Sequence, residues 1–169
     1  MTFDLPEPLG RPRRAEYTPA DFRNFNEART LAITPKFQRR SVWQAPQRSW
    51  FIDSLLRGLP VPPIFLRETQ NEDFSGMRRE VIDGQQRIST ILDYLGDDFA
   101  LSRSLLAPWA GMRFSELPDA ARARILTHHF SCEVFANIND AAVLEIFSRM
   151  NSNSVPLNKQ ELRNGRYFG

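Results

Sequence analysis

The chain has 169 residues, of which 41% are hydrophobic and 25% are charged, and its formal net charge is +2. These values are ordinary for one soluble globular domain with an apolar core, and the apolar runs are too short to span a membrane or to act as a secretory signal. Cys132 is the only cysteine, which excludes an intramolecular disulfide and a cysteine cluster for zinc. We therefore expect a cytoplasmic protein that holds neither zinc nor haem.

The basic residues are strongly skewed toward arginine. Only Lys36 and Lys159 of the 22 basic residues are lysine, so the other 20 are arginine. Arginine presents a planar, permanently charged fork that suits phosphate. Because the net charge is small and most arginines are expected on solvated surfaces, charge alone does not predict a nucleic-acid partner.

Residues 1–17 combine prolines and arginines with few apolar side chains, so they predict a flexible basic arm. A short helix to about Arg29 is predicted to follow. Thr18 has the position of its N-cap, Pro19 that of its first residue, and Asp21 lies three residues after the cap.

Beyond this helix, apolar residues recur at helical or alternating spacing, and glycines and prolines separate the segments. In the first half of the chain the pattern predicts a strand over 31–33, an ordered loop over 36–43, a helix over 46–57, paired strands over 64–68 and 79–83, and a helix over 85–95. In the second half it predicts a strand over 99–101, a helix over 117–126 capped by Ser115, a strand over 129–136, a helix from Asp140 to about Met150, a polar loop over 151–156 and a last helix. Within the helix that starts at Asp140, Val143, Leu144 and Phe147 are predicted to face inward. Short strands mixed with several helices predict a single α+β domain over residues 18–169.

The strongest local feature is the passage from a strand through Asp83 and Gly84 into a helix. Glycine permits a sharp turn, and the first turn of a helix offers unpaired N–H groups and a positive dipole end. Gln85, Gln86 and Arg87 occupy that first turn, and Arg87 adds a permanent charge. These features predict a phosphate cradle. The alternative interpretation is an aspartate N-cap followed by surface glutamines.

Two other segments contain arginines in defined contexts. Phe37 and Trp43 are expected to anchor a loop that holds Gln38 and Arg39, although Arg39 could instead pair with a carboxylate such as Asp83 or Asp53.

Near the end of the chain, Arg149 and Asn151 lie at a predicted helix C-terminus. There Arg149 could simply complement the helix dipole and Asn151 could form a left-handed cap.

Ordered motifs over residues 34–68, 80–95 and 146–168 resemble a large bacterial family marked by an Asp-Gly-Gln-Gln-Arg signature, which forms the N-terminal half of GmrSD-type, modification-dependent restriction enzymes. The residues that carry the resemblance are Pro35, Phe37, Gln38, Arg39, Trp43, Ile52, Ser54, Leu55, Pro60, Pro62, Pro63, Ile64, Ile82 to Arg87, Phe147, Arg149, Asn151, Leu157, Glu161 and Leu162.

The resemblance implies a ParB/sulfiredoxin-like fold, in which a small mixed sheet of short strands packs with several helices and a Gly-x-x-Arg turn holds nucleotide phosphates. It implies that Gly84 and Arg87 contact phosphate and that Asn151 and Glu161 help to hold Mg²⁺ with a nucleoside triphosphate. Asp83 could then polarise a water or bind Mg²⁺ through water, or it could be structural. The full set of expected phosphate-binding residues is Gln38, Arg39, Gly84, Gln85, Gln86, Arg87, Arg149 and Asn151.

We therefore expect a nucleoside-triphosphate-binding regulatory domain, with or without hydrolysis, in a DNA restriction or antiphage defence system. Restriction-type relatives continue into helical and nuclease regions, whereas this chain stops at Gly169. A separate nuclease domain or effector subunit is thus an expected partner, and the sequence also allows a homodimer.

Two alternatives use the same chain differently. One is a DNA-binding module that relies on surface arginines and the N-terminal arm. The other is a ParB-like DNA nuclease, which is disfavoured because the carboxylates form no recognisable metal motif and because adjacent strand residues such as His128 and His129 point to opposite faces. Cys132 is expected to be a small core residue.

Overall fold

A computed structural model describes residues 2–33, 42–70, 73–74 and 76–150. The elements in chain order are β1 (Arg13–Tyr17), α1 (Pro19–Glu27), β2 (Leu31–Ala32), α2 (Ala45–Leu56), β3 (Ile64–Gln70), β4 (Met77–Asp83), α3 (Gln85–Leu95), a 3-10 turn (Phe114–Glu116), α4 (Asp119–Leu126), β5 (Phe130–Ala136) and the helical residues 140–150, named α5. The chain divides into two compact units, one over Gly10–Asn137 and the other combining Met1–Leu9 with Ile138–Gly169.

The strands of the first unit form one mixed sheet in the order β1-β5-β3-β4-β2. The pairs β1–β5 and β3–β4 are antiparallel, whereas β3–β5 and β2–β4 are parallel. The predicted pairing of the strands over 64–68 and 79–83 is confirmed. Because helices and a mixed sheet occur in one unit without regular alternation, the predicted α+β class is also confirmed.

The core lies where alternate residues of the inner strands meet the helices. Ile64 and Leu66 of β3 and Cys132 and Val134 of β5 are buried in it. The apolar stripe of α3 is buried against the same core and consists of Ile88, Ile91 and Tyr94. This packing fixes α3 next to the end of β4, from which it starts.

The N-terminus of α1 forms the predicted cap. The Asp21 amide donates to Thr18 Oγ1 at 3.1 Å, and the Thr18 amide donates to Asp21 Oδ2 at 2.9 Å. This reciprocal arrangement satisfies two donors that a helix start would otherwise leave unpaired. Phe22 on the inner face of α1 is fully buried.

The predicted arm over residues 1–17 is wrong for its last five residues, which form β1. These residues pair with β5, with Ala15 opposite Cys132. An edge strand presents charged side chains to solvent, and Arg13, Arg14 and Glu16 therefore resemble a polar arm when only composition is considered.

Two predictions in the middle of the chain are wrong. Residues 99–101 form no strand; Leu101 instead donates one backbone hydrogen bond to Met112 O at 3.0 Å. Ser115 does not cap α4, since it lies in the 3-10 turn and its amide donates to Asp97 Oδ1 at 2.9 Å. The helix begins only at Asp119, after Pro118.

The start of α5 also differs from the prediction. Asn139, not Asp140, is the capping residue, because its Oδ1 accepts a hydrogen bond from the Ala142 amide at 2.8 Å. Val143 and Phe147 are buried as predicted, whereas Leu144 is exposed.

The predicted loop over 151–156 and the last helix lie outside the described residues. None of the described helices is long and apolar enough to cross a membrane.

Candidate functional site

The junction between β4 and α3 requires glycine. Gly84 has φ 114° and ψ 14°, a left-handed conformation, and it is the N-cap of α3. A Cβ atom at this position would lie 3.2 Å from Ile64 Cγ1 and 3.4 Å from Arg87 Nη2. Both the backbone conformation and the close packing against β3 therefore strongly disfavour a side chain. Asp83 is not the N-cap, so that alternative interpretation is wrong.

Arg87 is buried and ties the start of α3 to the start of β3. Its Nη1 donates a short hydrogen bond to Pro62 O, and its Nη2 donates to Pro63 O at 3.0 Å. The same Nη2 lies 3.6 Å from Asp83 Oδ2, so Arg87 also forms an ion pair with the residue four positions earlier, at the end of β4. The carbonyls of Pro62 and Pro63 precede β3, outside the hydrogen-bond ladder of the sheet, and the Arg87 guanidinium supplies each of them with a donor.

The two glutamine side chains are also engaged with backbone groups. Gln85 is buried, and its Nε2 donates to Val81 O at 3.1 Å and to Ile82 O at 2.9 Å. Gln86 Oε1 accepts a hydrogen bond from the Trp43 amide at 2.9 Å, just before α2 begins. These residues are not plain surface glutamines, because they join β4, α3 and the approach to α2.

The remaining polar groups of the junction are the backbone amides of the first turn of α3 and the Asp83 carboxylate. The first N–H groups of any helix lack partners within that helix, and the dipole places positive potential there. The Asp83 side chain is 32% exposed and can reach solvent. This combination can receive an anion at the amides and a hydrated cation at the carboxylate.

The structure brings together the predicted site residues from Asp83 to Arg87. Arg149 lies in α5, in the other compact unit, and its Nη2 forms an ion pair with Glu145 Oε1 at 3.2 Å. The remaining predicted residues, Gln38, Arg39, Asn151 and Glu161, lie outside the described residues. The proline carbonyls that receive Arg87 were not predicted, since backbone acceptors leave no signal in residue type.

Other reactive side chains do not form a second centre in the described part of the chain. Cys132 is buried, and burial raises the pKa of its thiol to about 11, as expected for a core residue rather than a nucleophile. Among residues 2–33, 42–70, 73–74 and 76–150, no cluster of three or more His, Cys, Asp or Glu side chains could hold a metal ion.

Several arginines in the described part of the chain are paired with carboxylates. The ion pairs include Arg13–Glu68, Arg14–Glu133, Arg48–Asp93, Arg57–Asp53, Arg67–Glu80 and Arg122–Asp119. A basic composition therefore does not translate into an equally basic surface.

Fold and junction together define an α+β domain in which an inner strand passes through a left-handed glycine into a helix whose start can receive an anion. Residues 21–168 match the family described as the GmrSD restriction endonuclease, N-terminal domain. The chain belongs to this family and is thus a component of a DNA restriction or antiphage defence system. No curated protein and no solved structure matches the chain, so the likeness to the ParB/sulfiredoxin fold stays a prediction.

Proposed function

We propose that the domain binds a nucleoside triphosphate with Mg²⁺ at the junction between β4 and α3 and thereby regulates DNA restriction. The conformation of Gly84 is the observation that supports this most, because it lets α3 begin directly after β4, and the amides in the first turn of a helix have no partners within that helix. Family membership supplies the setting in which such a switch would act.

The side-chain contacts suggest how the phosphates are held. Since the side chains of Gln85 and Gln86 already bond to backbone groups, we assign the phosphate contacts to the backbone amides at the start of α3. Arg87 has the role of holding the turn and placing a positive charge beside Gly84. Gln38, Arg39, Arg149 and Asn151 are further proposed contacts.

The residues of the junction fit a magnesium–nucleotide complex. Mg²⁺ is typically held by one or two carboxylates together with substrate phosphates and water. Asp83 is one such carboxylate, next to the amides that would receive the phosphates. We assign Asp83 to the Mg²⁺ hydration sphere and Asn151 and Glu161 to the remaining protein contacts; when bound, the ion would neutralise phosphate charge.

Calorimetry with ATP, GTP and CTP in Mg²⁺ tests the proposal on the wild-type chain and on Gln86→Glu. A carboxylate at position 86 can still accept the hydrogen bond from Trp43, so the fold should be kept. It also places a negative charge beside the phosphates, which near a protein surface costs about 1 to 4 kcal/mol. We expect saturable binding of at least one nucleotide and a loss of about tenfold or more in Gln86→Glu.

The matched control is Gln70→Glu, which makes the same charge change at the exposed far end of β3. That end is about 20 Å from Ile64, which contacts Gly84. Gln70→Glu should bind nucleotide as the wild type does. The proposal fails if no nucleotide gives saturable heat, or if the two variants bind equally well. Release of inorganic phosphate, compared between wild type and Asp83→Asn, reports hydrolysis separately.

A further inference from the structure

Three charged residues from three strands meet on the sheet away from the Gly84 junction. Glu68 near the end of β3 forms a short ion pair with Arg13 of β1. Glu68 also stands directly opposite Arg79 of β4, whose Nε lies 3.9 Å from Glu68 Oε1. β5 separates β1 from β3. Arg13 stands beside Val134 and Glu68 stands beside Ala136, so the Arg13 side chain reaches across β5 to Glu68. Two guanidiniums therefore share one carboxylate, and the cluster has a formal charge of +1.

Arg79 is the unusual member of this cluster. Its guanidinium lies over the Phe25 ring at 4.0 Å and is 5.7 Å from the centre of the Tyr17 ring. Within the described chain its side chain donates no hydrogen bond, and its Nε is buried without an acceptor. A guanidinium has five N–H donors, and an unsatisfied buried donor is unfavourable. The Glu68 carboxylate, 3.9 Å from this Nε, thus lies too far away for a hydrogen bond.

The neighbouring pair on the opposite face shows what a satisfied arrangement looks like. Arg67 stands opposite Glu80 in the same two strands, and its Nε and Nη2 donate to Glu80 Oε2 at 3.1 and 2.5 Å. Glu68 does not close an equivalent hydrogen bond with Arg79, because it is engaged by Arg13. The rings of Phe25 and Tyr17 hold the Arg79 guanidinium in place without using its donors.

We propose that Arg13 and Arg79 form a second anion site, which takes a phosphodiester group of a DNA strand. The side chain of Arg13 is 53% exposed and that of Arg79 is 20% exposed, so an anion that approaches Arg13 also meets the exposed part of the Arg79 side chain. Arginine forks match phosphate oxygens in geometry. One net positive charge matches the single charge of a phosphodiester better than the higher charge of a terminal nucleotide phosphate.

This site is distinct from the proposed nucleotide site. Arg79 precedes Asp83 by four residues along β4, which corresponds to about 13 Å. The side chains that form the two sites do not overlap, and either proposal can fail without the other.

Fluorescence anisotropy with a short labelled DNA duplex, titrated at several salt concentrations, tests the inference. Arg13→Gln should weaken binding and reduce the slope of log affinity against log salt by about 1, as expected for one lost phosphate contact. The control is Arg14→Gln, since Arg14 is the next residue of β1, points to the opposite face and loses the same charge. It should leave both affinity and slope unchanged.

Glu68→Gln provides the sharper readout. Removing this carboxylate raises the cluster charge from +1 to +2. We therefore expect DNA affinity to rise several-fold and the slope of log affinity against log salt to become steeper by about 1, which corresponds to one further released counterion. A carboxylate with only a structural role would give unchanged or weaker binding. Thermal melting of each variant verifies that the fold is kept.

Equal DNA binding by Arg13→Gln and Arg14→Gln would overturn the site, as would a Glu68→Gln variant that does not bind more tightly. A parallel titration with ATP identifies the source of the phosphate. If Arg13→Gln weakens ATP binding and leaves DNA binding unchanged, the phosphodiester assignment is wrong.

Discussion

Gly84 is the residue whose identity the structure constrains most clearly. A residue with a side chain would be left-handed there, which costs about 1 to 2 kcal/mol, and its Cβ would press on Ile64. We predict that Gly84→Ala lowers the free energy of unfolding by at least about that amount, measured by urea denaturation.

The other end of the same helix offers a control. Gly96 follows α3 with φ −87°, which any residue can adopt, and a Cβ there would make ordinary contact with Leu92 O at 3.4 Å. Gly96→Ala should change the free energy of unfolding by less than about 0.5 kcal/mol. Equal effects of the two substitutions would contradict the role given to the left-handed turn.

We predict that Arg87 stabilises the folded protein, independently of any ligand. Arg87→Ala removes the two hydrogen bonds that the buried guanidinium donates to the carbonyls of Pro62 and Pro63, and hydrogen bonds that involve a charged group contribute about 1.5 to 3 kcal/mol each. We expect a loss of about 2 to 4 kcal/mol in the free energy of unfolding. Arg122→Ala removes a more exposed arginine paired with Asp119 and should cost at most about 1 kcal/mol. A fully stable Arg87→Ala protein would show that these contacts are dispensable.

At the scale of elements, the local sequence pattern was sufficient to predict the bounds of an element when the residues of that element and its neighbours determine them. The predicted helix over 85–95 has the observed bounds, because its apolar stripe and the flanking Gly84 and Gly96 are all local signals. β1 was missed because its partner β5 is remote in sequence and its own residues are mostly charged. The sequence pointed to the junction residues Asp83 to Arg87, but it did not show that the side chains of Gln85, Gln86 and Arg87 bond to backbone carbonyls and amides, because those partners become apparent only in the tertiary structure.

The segment between α3 and the 3-10 turn is fastened to α2 through a buried carboxylate. Asp53 accepts hydrogen bonds from Trp109 Nε1 at 2.8 Å and from Arg57 Nε at 2.9 Å. Trp109→Phe removes one donor from this buried charge, and hydrogen bonds to charged groups contribute about 1.5 to 3 kcal/mol. We predict that this variant is cleaved faster by trypsin after Arg103, which lies in the fastened segment.

Mass spectrometry of timed digests measures that cleavage. Trp50→Phe is the matched control, since Trp50 lies on α2, the helix that also carries Asp53, but is half exposed. Its digestion rate at Arg103 should equal that of the wild type. If Trp109→Phe is also cut at the wild-type rate, the hydrogen bond to Asp53 does not hold the segment.

At the scale of the whole molecule, His128 links stability to pH. Its ring packs against Phe130 with centroids 5.0 Å apart, and burial, followed by the neighbouring His129, lowers the pKa of His128 below its usual 6.5. The unfolded chain therefore binds a proton more readily than the folded one. The sign follows from linkage: stability is full above about pH 6.5 and falls as pH decreases toward the lowered pKa.

We predict that the Tm of the wild-type protein falls between about pH 7.5 and 5.5, a range above the titration of ordinary carboxylates. His128→Gln removes the titrating group and should flatten this dependence. His129→Gln should keep most of it, because His129 is exposed and is only the smaller cause of the shift. Scanning calorimetry of the three proteins at matched ionic strength gives the slopes. If all three slopes are the same, the proton uptake on unfolding occurs at another group and the partial burial of His128 has no consequence for stability.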